Sequence, residues 1–290
     1  MSQAFQIEKL CVIGVGLIGG SLARALRKQN AVKTITGAGR NRATLEKAVS
    51  LGVIDNYSTD IQQAAQGADV VLVAVPLGAM PAVFEQLKPV ISENCIVTDT
   101  GSAKQSVIRD MQNLLGELPA NFVPGHPIAG TEQSGVDASF AELYEGRRVI
   151  LTPHEKTDAQ ALHTITHMWQ CCGAEVITMP PVHHDEVLAA TSHLPHMLAY
   201  ALVDTLARMD DSQEIFEFAA GGFRDFTRIA SSDPSMWHDI CLANREQLVK
   251  VLRAFNEDLH RLSEAVEKGD SDFLQETFTR AKQARDKFCG

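Results

Sequence analysis

The sequence predicts a doubly wound α/β domain followed by an all-helical one, and three observations carry that expectation. Apolar, strand-like runs alternate with helical segments up to about residue 179. A glycine-rich turn joins the first run to the first helix. Beyond about Pro180 no strand-like run is left, and the periodicity is helical throughout.

The elements follow in order. "KLCVIGVG" reads as a buried strand, "GGSLARALRKQ" as a helix, "TITGAG" as a strand, and "NRATLEKAVSLG" as a helix ended by Gly52. "ADVVLVAVP" is a continuous apolar run closed by Pro76, as expected of a central parallel strand covered on both faces. "MPAVFEQLKPVI" is helical, "CIVTDTGS" is a strand, and "AKQSVIRDMQNLL" is a helix. "VPGHP" then leaves the next strand. "RRVILTP" and "AEVITMP" are two further strands, with the helix "DAQALHTITHMWQCC" between them.

The expected domains are residues 1–179 and 180–290. In the second, a long helix covers 182–209. Another opens at Asp233-Pro234, an N-cap followed by a first-turn proline, and runs to about Lys268. A last helix fills 271–288. Leu248, Val251, Leu252, Phe255, Leu259, Leu262 and Val266 repeat on one helical face, and such terminal helices commonly pack against a second copy. A homodimer through these C-terminal helices is expected.

Composition narrows the partners. With 26 basic against 36 acidic residues the formal net charge is −10, and no polybasic run interrupts it. That argues against nucleic acid or an anionic membrane surface and leaves a small molecule, whose anionic groups need local positive charge. No stretch reaches about 18 consecutive apolar residues. The opening "MSQAFQIEKL" lacks the basic and then apolar blocks of a signal peptide. The six cysteines have no framework spacing, as expected of reduced thiols in a cytoplasmic protein.

"VIGVGLIGG" supplies Gly14, Gly16 and Gly19 at G-x-G-x-x-G spacing, directly after a strand and at the opening of a helix. Dinucleotide binding of the Rossmann type is expected there, through Gly14, Gly16, Leu17, Ile18 and Gly19. Val75 and Pro76, at the end of the central strand, belong to the same expected set. From Thr34 to Leu45 there is no carboxylate to hold the ribose hydroxyls of NAD, whereas Arg40, Asn41 and Arg42 suit the 2′-phosphate of NADP. NADP is therefore favoured over NAD.

In an open α/β sheet, ligands sit outside the carboxyl ends of the strands. "TDTGS" and "VPGHP" both leave strands, so Ser102 and His126 can face the nicotinamide. A histidine there can take a proton as hydride departs, its ordinary pKa being near neutral. A satisfied structural histidine is the competing reading of that residue alone.

"DTGSAK" (99–104), "GHPIAGTEQSG" (125–135), "TSHLPH" (191–196) and "GGFRDFTRIASSDPSMW" (221–237) occur in this order behind the glycine turn. The whole chain thereby resembles the prephenate/arogenate dehydrogenase family of tyrosine biosynthesis. The resemblance implies a nucleotide-binding domain, a helical dimerisation domain, and oxidative decarboxylation of a cyclohexadienyl acid. It makes His126 the acceptor of the ring hydroxyl proton and Ser102 the partner of that hydroxyl and of the histidine. It makes Arg228 a carboxylate anchor, lines the pocket with Ser192, His193 and His196, and sets Thr131 beside the nicotinamide. Glu132, Asp225 and Trp237 occupy matching pocket positions.

Other clusters read more simply. "HHDE" at 183–186 is expected to be a solvated helix start, its acidic residues favoured by the helix dipole. His163 and His167 lack the glutamate of a zinc protease, and no metal is expected. Cys171 and Cys172 are expected to be structural. An alternative 3-hydroxyacid or imine dehydrogenase usually needs a lysine on the long helix, and residues 182–209 contain none. A non-catalytic NADP sensor should show a broken catalytic set, yet Ser102, His126 and Arg228 are all present.

Overall fold

The computed structural model of the chain describes residues 5–91 and 94–289, the side chain of Cys289 excepted. The first four residues of the opening read above, and the Cys289 thiol, thus lie outside the described residues. The chain divides into two compact units, residues 1–245 and residues 246–290.

The first unit begins with β1 (Ile7–Ile13), α1 (Leu17–Lys28), β2 (Val32–Ala38), α2 (Arg42–Ser50), β3 (Asn56–Ser58) and α3 (Ile61–Ala65). It continues through β4 (Val70–Val73), α4 (Met80–Leu87), β5 (Ile96–Asp99), α5 (Lys104–Leu115) and β6 (Phe122–Val123). The six strands form one parallel sheet in the order β3-β2-β1-β4-β5-β6, the doubly wound order for dinucleotide binding. Alternation along β1 builds a core on each face. Leu10 and Val12 join Leu22, Leu26 and Trp169 on one side, while Cys11 and Ile13 join Val71, Phe84 and Met111 on the other. Strand β3 has no apolar run to announce it.

β7 (Gly125–Pro127), β8 (Arg148–Leu151) and β9 (Glu175–Thr178) stand outside the parallel sheet. They make a separate three-stranded sheet, β7 antiparallel to β8 and β8 parallel to β9, with α6 (Ala159–Cys171) between the last two. Pro124 is the physical reason, since a residue without an N–H cannot continue a ladder. The chain leaves β6 there, and the Pro124 carbonyl accepts from Thr152 N at 2.9 Å. His126 therefore sits on a strand, paired with Ile150.

Helices follow. α7 (Pro181–Leu188) runs into a π-helical segment at Ala189–His193 and then α8 (Leu194–Ala207). The expected long helix is thus widened in its middle. Pro195 has no N–H for the carbonyl four residues back, and its ring would clash with that carbonyl, so the backbone opens by one residue. α9 (Ser212–Glu217), α10 (Gly221–Thr227), a 3-10 turn at Arg228–Ser231 and α11 (Pro234–Ala243) complete this unit. Asp233 caps α11 by accepting from Ser235 N at 2.7 Å.

The second expected long helix is also divided. α11 ends at the buried Asn244, and α12 (Arg245–Lys268) begins beyond it. α12 and α13 (Ser271–Cys289) are the helices of the second unit, with Gly269 between them at φ +68°. No helix among the described residues is long and apolar enough to cross a membrane.

Candidate active site

The glycine turn has the shape that a bound pyrophosphate needs. Gly14 has φ +94°, and a Cβ there would lie 2.3 Å from the Ala74 carbonyl oxygen and 3.0 Å from Val75 Cγ1. A Cβ on Gly19 would meet the Gly14 carbonyl oxygen at 2.4 Å. Gly16 differs, because nothing lies within 4 Å of its would-be Cβ. The turn is packed from behind at Gly14 and Gly19 and open in front at Gly16. No side chain caps α1 and no acidic residue occupies its first turn. Its N-terminal amides therefore suit an anion. Leu17 and Ile18 form that first turn, with the Ile18 carbonyl accepting from the buried Tyr144 hydroxyl at 2.6 Å. Val75 lies behind Gly14, and Pro76 is exposed after β4.

Beyond β2 the basic segment is partly engaged. Asn41 caps α2 through Thr44 N at 3.2 Å. Arg42 is paired with Glu46 at 2.9 Å, and Tyr57 donates to the same carboxylate at 3.0 Å. Arg40 is exposed and has no ion pair among the described residues. These residues fit a dinucleotide, with Arg40 the uncommitted cation.

His126 is at the centre of a buried polar cluster. Its Nδ1 lies 2.9 Å from His184 Nε2, and His184 Nδ1 lies 2.7 Å from Asp185 Oδ1. Asp185 also accepts from Lys104 N at 2.7 Å and Gln105 N at 2.9 Å, the first amides of α5. Lys104, fully buried, is ion-paired with Asp99 and donates to the Gly125 carbonyl at 2.6 Å. Asp99 in turn accepts from Gly101 N at 2.7 Å and Gly125 N at 3.2 Å. The ends of β5, α5 and β7 are thereby fastened to one another beneath His126.

The electrostatics follow from burial. Removal from water holds the His126 imidazole well below its usual pKa, and His184, Lys104 and His193 add to that. Burial likewise lowers His184, its bond to Asp185 opposing only in part. His193 is lowered to about 4, mainly by burial. For Asp185 burial acts upward, but the bonds from His184, Lys104 N and Gln105 N prevail and hold the carboxyl below its ordinary value. Burial also lowers Lys104, against the pull of Asp99.

The other candidates divide by exposure. His193 is buried, with Nδ1 3.1 Å from Asn244 Nδ2 and a backbone hydrogen bond with Ser102. His196 stacks on Trp237 with centroids 3.6 Å apart, while His193 meets the same indole edge-on at 6.1 Å. The Ser192 carbonyl lies 2.9 Å from His196 Nδ1. Trp237 Nε1 is buried without a hydrogen-bond partner. Arg228 is exposed and ion-paired with Glu132. Thr131 is exposed, its hydroxyl accepting from Gln133 N at 3.3 Å, and Asp225 is exposed. Ser102 is half-buried, and the partner of His126 is His184 and not the Ser102 hydroxyl.

One expectation is corrected. In "HHDE" only His183 and Glu186 face solvent, while His184 and Asp185 are wholly buried. A helical period could have shown this, because His184 and Asp185 stand four residues before the apolar Leu188 and Ala189. Asp99, Lys104 and Asn244 were also missed as site residues. Asp99 and Lys104 are the first and last residues of "DTGSAK", and Asn244 falls in a helical period with no signal of its own.

Residues 22–178 match the family model for the prephenate dehydrogenase nucleotide-binding domain, and residues 180–280 that for its dimerization domain. A cyclohexadienyl dehydrogenase of Zymomonas mobilis is 41% identical over 96% of this chain and 95% of its own length. The structure of prephenate dehydrogenase from A. aeolicus, in complex with hydroxyphenyl propionate and NAD+, superposes with a TM-score of 0.90. It is 40% identical and covered over 99% of both chains. Synechocystis arogenate dehydrogenase gives a TM-score of 0.80 at 29% identity, over 97% of this chain and 99% of that one.

Proposed function

The chain belongs to the prephenate dehydrogenase family, and from that premise we propose that it oxidatively decarboxylates prephenate, arogenate or both, with NADP as the preferred cofactor. That it is an oxidoreductase using a nicotinamide dinucleotide follows from the family. The observation that carries the finer reading is His126, buried beside the carboxyl end of β5, with its imidazole pKa held well below the usual value by burial.

The nicotinamide, when bound, supplies the hydride acceptor. His126 takes the proton from the ring hydroxyl as hydride leaves the carbon bearing it, so that the C–O bond becomes a carbonyl. The ring carboxylate then departs as carbon dioxide, its bonding pair aromatises the ring, and the resulting phenolate takes the proton back from the His126 imidazolium to end as a phenol. An uncharged histidine in a dry site is ready to accept that proton, which is worth on the order of 10²–10⁴-fold. Ser102 hydrogen-bonds the hydroxyl. Arg228 anchors a substrate carboxylate, exchanging Glu132 for it, because a guanidinium binds carboxylates in bidentate fashion. Ser192, His193, His196 and Trp237 line the helical side, and Thr131 lies beside the nicotinamide. Domains of 1–179 for cofactor and 180–290 for substrate and dimerisation, and a cytoplasmic location, complete the reading.

The preference for NADP is supported by Arg40, the cation left free after Arg42 is engaged by Glu46. Near-ultraviolet absorbance, with prephenate or arogenate paired with NADP or NAD, tests substrate and cofactor together. A kcat/KM ratio favouring NADP, reduced by Arg40→Ala more than by Arg42→Ala, is expected. A preference for NAD would make both arginines surface residues. His126→Asn is expected to fold, bind NADP and lose at least about 10²-fold in kcat. Near-normal turnover would end its assignment as the base.

A further inference from the structure

We infer that Asp185 and His184 are positioning residues, a directed hydrogen-bond chain that fixes His126 as the Nδ1–H tautomer and leaves Nε2 as its one proton acceptor. The inference rests on the reading of His126 as the base, and it follows from counting donors and acceptors along the chain.

Asp185 is the fixed end. Four N–H groups point at its carboxylate: Lys104 N at 2.7 Å, Gln105 N at 2.9 Å, Gln105 Nε2 at 3.2 Å and His184 Nδ1 at 2.7 Å. The two amides belong to the first turn of α5, where helix N–H groups lack partners and favour an anion. An ionised carboxylate only accepts, so His184 Nδ1 must be the donor. A neutral imidazole has a single N–H, so His184 Nε2 is bare and accepts. The only arrangement that makes the 2.9 Å contact a hydrogen bond is then donation from His126 Nδ1. His126 Nε2 is left without a proton.

The surroundings support the uncharged state on which this count depends. Lys104, on α5, is the cation nearest to the pair, and it is matched by Asp99 on β5. His193, in the π segment, is occupied by Asn244 and by the Ser102 backbone. Burial keeps all three histidines below their ordinary pKa. Once His126 has accepted a proton on Nε2, the Nδ1–H bond to His184 becomes charge-assisted, with the Asp185 carboxylate one ring further on. The chain thus selects the reactive nitrogen before substrate binds and steadies the imidazolium afterwards. The proton is not passed on to His184 or Asp185.

Histidine tautomers are read directly from long-range 1H–15N correlations of 15N-histidine-labelled full-length protein in the presence of NADP. At pH 7.5 the wild type is expected to show His126 protonated at Nδ1 and bare at Nε2, the assignment coming from loss of its signals in His126→Asn. Asp185→Asn risks unfolding because it also removes the α5 cap. The variant of choice is therefore His184→Gln, whose carboxamide can either donate or accept and so imposes no tautomer. In that variant the His126 signals should change to a mixture of tautomers. kcat should fall by about 10²-fold with KM for NADP unchanged. A wild-type His126 carrying its proton on Nε2 would overturn the inference, as would a His184→Gln protein with unchanged tautomer or unchanged kcat. In either case an inactive His126→Asn would leave the base assignment standing, whereas an active one would remove that assignment first.

Discussion

A buried histidine makes stability depend on pH in a direction that can be worked out. His193 is 1% exposed and has its pKa lowered to about 4, whereas in the unfolded chain it titrates near 6.5. Between these values the unfolded state binds the extra proton, so stability is full above about pH 6.5 and falls as the pH is lowered. The slope is about 1.4 kcal/mol per pH unit for one group, so His193 alone removes about 2 kcal/mol between pH 6.5 and 5. His126 and His184, lowered for the same reason, act in the same direction. Urea unfolding midpoints at pH 7.5 and pH 5 should therefore differ clearly, and equal midpoints would mean that these histidines are not held neutral. None of this was legible in the sequence. His126 could be read there because glycine and proline flank it in "VPGHP". His184 and Asp185 were masked by composition, because exposed His183 and Glu186 flank them, and only their spacing of four from Leu188 and Ala189 marks the buried face.

Segments were legible where one force dominated. β4 and β1 were clear because burial on both faces demands continuous apolar runs, α2 because Gly52 follows it, and α11 because Asp233 is a cap. β3 pairs with β2 through three exposed or half-buried residues, so its sequence has no reason to be apolar. The second sheet was hidden because β7 owes its pairing to the escape of the chain at Pro124. The break between α11 and α12 was hidden because Asn244 is recruited from a distance. Its amide donates to the Asp185 carbonyl at 2.8 Å and lies 3.1 Å from His193 Nδ1. Asn244→Ala removes one donor from two buried acceptors, and leaving such groups unpaired costs about 1–3 kcal/mol each. A loss of that order is expected in denaturant unfolding at pH 7.5, whereas a change below about 0.5 kcal/mol would show that the amide holds neither acceptor.

For the whole molecule, the sequence was most informative about architecture and least about division. Alternating elements and the glycine turn foretold the doubly wound sheet, and the family models meet near residue 179, where strands give way to helices. Yet the compact units separate at residue 245, because α7 to α11 supply His184, His193 and Trp237 to the unit that holds His126. What remains beyond 245 is two helices in a segment shorter than an independent core usually needs. Among the residues whose burial is described, none in α13 is buried, and Leu259, Val266 and Phe278 are more than half exposed. Apolar faces of this kind, within a segment matching a dimerization domain, call for a second copy. Sedimentation equilibrium should then give about twice the 31.6 kDa chain mass. Burying one such side chain contributes about 1.5–3 kcal/mol, and a glutamate in its place would carry an unpaired charge into the contact. Each of Leu259→Glu and Val266→Glu should therefore raise the dimer Kd at least about tenfold, a factor equivalent to about 1.4 kcal/mol. A wild-type monomer, or two variants that associate as tightly as the parent, would place the partner surface elsewhere.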